Sequence, residues 1–192
     1  MMKGHRGFDP EGVNESIDYV NTLITKELES GIPSSRIVVG GFSQGGHIAL
    51  RSALQHRPLP LAGCVALSTW LEPSPFDIPP SNLDLPIFHG HGSADPLIPP
   101  AIAVATQHVL EGRGLKDVTF KMYPGVGHST SAQEMNDLKE FLLRALPDKP
   151  PTEGEIKGMS ARELKAFIIG KGGSTVGMLE KQDLVAKALS LL

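Results

Sequence analysis

Apolar residues recur along the chain with two periods, and the switching between them lays out the fold. Ile17, Val20, Leu23, Ile24 and Leu28 fall at helical spacing and predict one apolar helix face. Asp9-Pro10-Glu11 sets the entry of that helix, with acids in the first turn and a proline where a missing N–H costs least. Gly31-Ile32-Pro33 ends it. The run Ile37-Val38-Val39 predicts a buried strand over 37–40, followed by a sharp turn and a helix over 47–55. Further strands are predicted over 61–67, 86–89 and 118–123, with helices over 101–111 and up to 146. Ser131 and Glu134 stand at capping-box spacing before the last of these. Strands that alternate with helices form a parallel sheet, whose ligand site lies beyond the carboxyl ends of the strands. The expected class is α/β.

The pattern changes at Pro147-Asp148-Lys149-Pro150-Pro151, which reads as a linker and divides an α/β unit over 1–148 from a small helical unit over 149–192. In the second unit Ser160 and Glu163 repeat the capping-box spacing, and Met159 is placed to staple onto Leu164. The expected elements are a helix over 161–168, a loop at Gly170-Lys171-Gly172-Gly173 and a helix over 179–191. That loop is no phosphate loop, because its lysine precedes the glycines.

Composition narrows the classes. The chain has 192 residues, 40% of them apolar, which is enough for a real core. A net charge of −3 argues against nucleic acid and anionic membrane as partners, and the tail's modest basic excess lacks the aromatic interleaving of a nucleic-acid binder. The single cysteine, Cys64, fits a reducing compartment, and its apolar surroundings predict a buried thiol. No apolar run reaches membrane-spanning length and Met1-Met2-Lys3-Gly4-His5 lacks a secretory core, so the expected location is the cytoplasm.

The candidate chemistry centres on Gly41-Phe42-Ser43-Gln44-Gly45-Gly46, a GxSxG motif directly after a strand. An α/β-hydrolase presents its nucleophile on such a turn. A serine needs a base, and an imidazole base needs a carboxylate to fix its tautomer. Asp95 and His128 follow Ser43 in the order Ser, Asp, His, each in a Gly- or Pro-rich loop after a strand. The backbone N–H of Gln44 is the expected oxyanion donor. Competing residues carry less. His89 and His91 could chelate a metal, but no Cys, Asp or Glu cluster completes a site, and loop structure explains them; neither metal nor cofactor is expected. His47, one turn into the elbow helix, reads as a packing or surface residue. His5, His56 and His108 have no supporting pattern, and Asp77 and Asp84 rank below Asp95 as turn-capping residues.

With these residues in hand, 37–46, 61–71 with Ser68-Thr69-Trp70-Leu71, His91-Gly92 with Asp95-Pro96-Leu97-Ile98-Pro99, and 123–129 resemble the acyl-protein thioesterase / lysophospholipase family, over about residues 8–147. The resemblance implies an α/β-hydrolase fold and a serine hydrolase that cleaves fatty-acyl thioesters of S-acylated proteins, or related carboxylic esters and lysophospholipids. It implies Ser43, Asp95 and His128 as the triad and places Trp70 and Leu71 beside the acyl-binding cleft. The family has a further N-terminal portion with a His-Gly loop that supplies an oxyanion donor. Nothing before Ser43 corresponds to that loop, so the expectation is either a truncated chain or much reduced activity, with an exposed sheet edge. The tail resembles a SAP-like helix–loop–helix, which implies a protein partner or a packing role. Two other readings remain open. One is a non-catalytic module that binds an acyl chain or a protein, and the other is an ordinary small-molecule carboxylesterase.

Overall fold

The computed structural model describes residues 9–146, 151–178 and 180–192. The expected linker lies outside these apart from Pro151, as do His5 and Leu179, the expected start of the last helix. Four strands, β1 (Val38–Phe42), β2 (Gly63–Leu67), β3 (Ile87–Gly92) and β4 (Val118–Tyr123), pair in parallel and in chain order. Phe42 stands beside Leu67, Leu67 beside Gly90, and Gly92 beside Tyr123, so the strand ends form one edge. Helices α1 (Pro10–Ser30), α2 (Gln44–Gln55), α3 (Pro100–Gly112) and α4 (Ala132–Ala145) accompany the sheet.

β2 is buried along its whole length, as a central parallel strand covered on both faces must be, and its residues alternate between two cores. Cys64 and Ala66 join Ile24 of α1, Leu50 and Leu54 of α2 and Leu110 of α3 on one face. Val65 and Leu67 join Phe88, Tyr123 and Phe141 of α4 on the other. Burial pushes the Cys64 thiol up to about 12, so it is an inert core residue. β1 is only half-buried, and among the described residues no strand pairs with its outer edge. A groove of about 470 Å³ runs there, lined by Tyr19 and Val20 of α1, Val39 and Gly40 of β1, and Ile48 of α2.

Several boundaries differ from the expected ones. α2 starts at Gln44 rather than at residue 47, because the turn at Ser43 leads straight into the helix. β3 continues to Gly92, so His89 and His91 lie on a fully buried strand and not in a loop. Burial, with His91 adding to it, pushes the His89 imidazole down to about 3, which keeps it neutral. Asp77 and Asp84 form surface ion pairs with Arg57 and Lys116. Beyond the sheet, α5 (Glu153–Gly158) was not anticipated, although Thr152 and Glu155 form a complete capping box. It joins α6 (Ala161–Gly170) and α7 (Lys181–Leu189) around a core of Ile156, Met159, Leu164, Ile168 and Leu184. α6 lies against α1: Ala166 faces Gly31, the left-handed residue that ends α1, and Arg162 pairs with Glu29.

Only half of the Ser131 capping box forms. The Ser131 hydroxyl accepts from the Glu134 N–H, but the Glu134 carboxyl is fully buried against Gly90 and makes no hydrogen bond of normal geometry among the described residues. Burial raises its pKa, and the Ser131 amide offsets this only in part. A carboxyl whose folded pKa is raised stabilises the fold below its unfolded pKa and loses that stability as pH climbs through the folded one. Glu134→Gln should therefore gain stability relative to the wild type as the pH rises from about 4 to about 8, read as the difference in urea midpoints at the two pH values.

Candidate active site

The elbow is built by a backbone that only a crowded local structure can hold. Ser43 has φ 56° and ψ −124°, a conformation that a side chain rarely adopts and that the surroundings must enforce. Its N–H donates to Leu67 O at 2.8 Å, its carbonyl accepts the Thr69 hydroxyl at 2.6 Å, and its carbonyl also accepts the Gly46 N–H. The Ser43 hydroxyl is not spent on capping α2. It projects from the strand edge instead.

Two further strand ends reach the same point. His128 Nε2 lies 2.9 Å from Ser43 Oγ, and His128 Nδ1 lies 2.8 Å from Asp95 Oδ2. A carboxylate only accepts, so Nδ1 carries the proton and Nε2 is left to accept from the serine hydroxyl. Asp95 is buried, yet its carboxyl is held below the usual range. Burial pushes it up, and this is outweighed by the Ile98 amide, by His128 and by the Leu97 amide. Both amides donate to Oδ1 at 2.9 Å, which leaves Oδ2 for the imidazole. Phe42 packs its ring against His128 with centroids 4.8 Å apart.

The structure thus brings Ser43, Asp95 and His128 into one hydrogen-bonded chain. Gln44 opens α2, in the first turn, where amides have no partner within the helix and point outward. Trp70 is partly buried and Leu71 is buried, its N–H donating to Thr106 Oγ1 at 3.0 Å. The 470 Å³ groove is lined by other residues than these two.

Sequence reading passed over three residues. Thr69 ties the end of β2 to the elbow, and a hydroxyl just past a strand was the available signal. His91 Nε2 donates to Ile98 O at 2.8 Å and lies 3.6 Å from Asp95 Oδ2, so it braces the Asp95 loop. His47 is fully buried, with Nδ1 3.2 Å from Trp70 O. Among the described residues no cluster of three or more His, Cys, Asp or Glu could hold a metal.

A parallel sheet with helices on both faces and a left-handed serine at the turn from strand to helix defines an α/β-hydrolase-type protein. The sequence model of the phospholipase/carboxylesterase family matches residues 4–146, and the chain belongs to that family. It is 40% identical over 159 residues to acyl-protein thioesterase 1 of Neurospora crassa, across 79% of this chain and 64% of that one. To the protein of the same name from Kluyveromyces lactis it is 38% identical, across 72% and 62%. The chain therefore spans just under two thirds of the length of these relatives. Among solved structures, Arabidopsis thaliana SOBER1 superposes with a TM-score of 0.66 at 30% identity, covering 73% of this chain and 67% of that one. Zea mays acyl-protein thioesterase 2 superposes with a TM-score of 0.61 at 27% identity, covering 76% and 70%.

Proposed function

We propose that this chain is a serine hydrolase that cleaves fatty-acyl thioesters of S-acylated proteins, or related carboxylic esters and lysophospholipids. The observation that carries the reading is the unbroken Ser43–His128–Asp95 hydrogen-bond chain on a positive-φ elbow. His128 takes the Ser43 proton as the oxygen attacks the acyl carbonyl, and Asp95 stabilises the imidazolium that forms. The Gln44 N–H, at the positive end of α2, donates to the oxyanion. His128 then protonates the departing thiolate or alkoxide, and a water activated by the same imidazole releases the acyl group from Ser43. The names of the relatives favour thioesters over a general small-molecule esterase.

The proposal extends to the whole chain. The site residues act in an α/β unit over 1–148, and 149–192 is a helical unit with its own core that recruits a protein partner. No helix among the described residues is long and apolar enough to cross a membrane, in keeping with action in the cytoplasm. A fluorophosphonate probe should label the folded chain at Ser43, located by mass spectrometry of the adduct, and an S-palmitoylated peptide should be turned over faster than its oxygen ester. Folded protein that takes up no label at Ser43 would overturn the hydrolase reading and leave a non-catalytic acyl- or protein-binding module.

A further inference from the structure

Behind the elbow lies a polar cluster that the proton relay does not use. His47 stands one turn after Ser43 in α2 and is fully buried. A carbonyl only accepts, so its Nδ1 carries the proton and donates to Trp70 O at 3.2 Å. Its Nε2 lies 3.4 Å from Glu72 Oε2, and Arg51 Nη1 lies 4.0 Å from the same oxygen. The imidazole also stacks on the Trp70 indole, with centroids 5.5 Å apart and planes 8° from parallel. One buried side chain on the nucleophile's helix therefore grips Trp70 twice, by a hydrogen bond to its carbonyl and by a stack on its ring.

The gripped segment is anchored at two further points. The Thr69 hydroxyl donates to Ser43 O, and the Leu71 N–H donates to Thr106 Oγ1 of α3. Three successive residues, 69, 70 and 71, are thereby fixed against the elbow, α2 and α3. Packing alone would need an apolar side chain at position 47. A buried imidazole that instead donates to a carbonyl and stacks on an indole holds one aromatic ring at one place. That ring stays partly exposed, and it belongs to the residue next to the one that holds the Ser43 carbonyl.

Resting on the hydrolase reading above, we infer that His47 is a positioning residue that holds Trp70 as an apolar wall of the Ser43 site and so sets the preference for long acyl chains. A large, partly exposed indole held rigid contributes apolar contact at little entropic cost, and a long chain profits from it where a short one cannot reach.

Trp70 is the only tryptophan in the chain, so its emission reports on this wall directly. Palmitate titrated into the wild type should shift the emission, and butyrate should not. His47→Ala should weaken palmitate binding about tenfold, because the Trp70 carbonyl loses its donor. His47→Asn, whose amide can place an N–H where Nδ1 stands, should recover most of the loss. In turnover, the ratio of kcat/KM for palmitoyl over butyryl esters should drop about tenfold in His47→Ala, through KM. A wild-type emission that palmitate leaves unmoved would overturn the inference, as would an equal loss for both chain lengths or an Asn variant no better than Ala. Should His47→Ala not fold, the Asn variant and the wild-type titration decide. The fluorescence titration needs no turnover, so an unlabelled Ser43 would sink the hydrolase reading without deciding this one.

Discussion

Asp95→Asn should lower the rate of ester hydrolysis about 10⁴-fold while the fold persists, the size of effect seen when a triad carboxylate becomes an amide. The geometry explains why so small a change would be so costly. Asp95 Oδ1 accepts from the amides of Leu97 and Ile98, both at 2.9 Å. An asparagine must keep its oxygen on that side, because its NH₂ would face two donors. The NH₂ is therefore turned toward His128 Nδ1, where Oδ2 now stands at 2.8 Å. It donates there, so the imidazole proton moves to Nε2, and Nε2 can no longer accept from Ser43 Oγ. The serine loses its base although no atom has moved far. The rate of fluorophosphonate labelling should fall in parallel, with the urea midpoint at about pH 7 close to that of the wild type. A labelling rate within tenfold of the wild type would show that Asp95 does not fix the tautomer.

Much of this candidate site is legible in the sequence, and the reason is local. The turn glycines and the order Ser, Asp, His are properties of short stretches, each following a run that the sheet takes up as a strand. The β4 boundaries came out as expected because Val118 and Tyr123 are bracketed by turn residues on both sides. His91 shows the limit. With no cluster to complete a metal site, loop structure was the expectation for it and His89, yet both are on β3, where pairing with β2 and β4 buries them. Tertiary pairing decided this, and a histidine carries no mark that says which side of a sheet will be covered. His47 read as a packing or surface residue, and the structure decides for packing. Helical position places it one turn past Ser43, but only the approach of residues 70–72 turns that position into a buried polar contact. The missed α5 is a different case, since Thr152-Glu153-Gly154-Glu155 spells a capping box, and the prolines before it drew attention to the linker instead.

The two glycines at the crossing of β1 and α2 make the last prediction. A Cβ built on Gly41 would stand 2.2 Å from the carbonyl carbon and oxygen of Gly45 and 2.6 Å from the Gly46 nitrogen. These are backbone atoms of the first turn of α2, which no rotamer change can move aside. A Cβ on Gly46 would meet Thr69 Cβ at 2.7 Å, and Thr69 is the residue that holds the Ser43 carbonyl. Gly41→Ala must therefore push α2 off β1 or open the turn, and should cost roughly 3 kcal/mol of stability, at the upper end of overpacking. Whatever fraction stays folded should label poorly, because an elbow shifted by about 1 Å takes Ser43 Oγ out of line with His128 and costs about 10²-fold. Gly45 provides the contrast, since a Cβ there meets nothing within 4 Å. Gly45→Ala should have a urea midpoint at or above that of the wild type, alanine being better than glycine inside a helix by about 1 kcal/mol. If Gly41→Ala unfolds and labels like Gly45→Ala, the strand and helix do not meet as tightly as the elbow requires, and the strained serine is not held by their crossing.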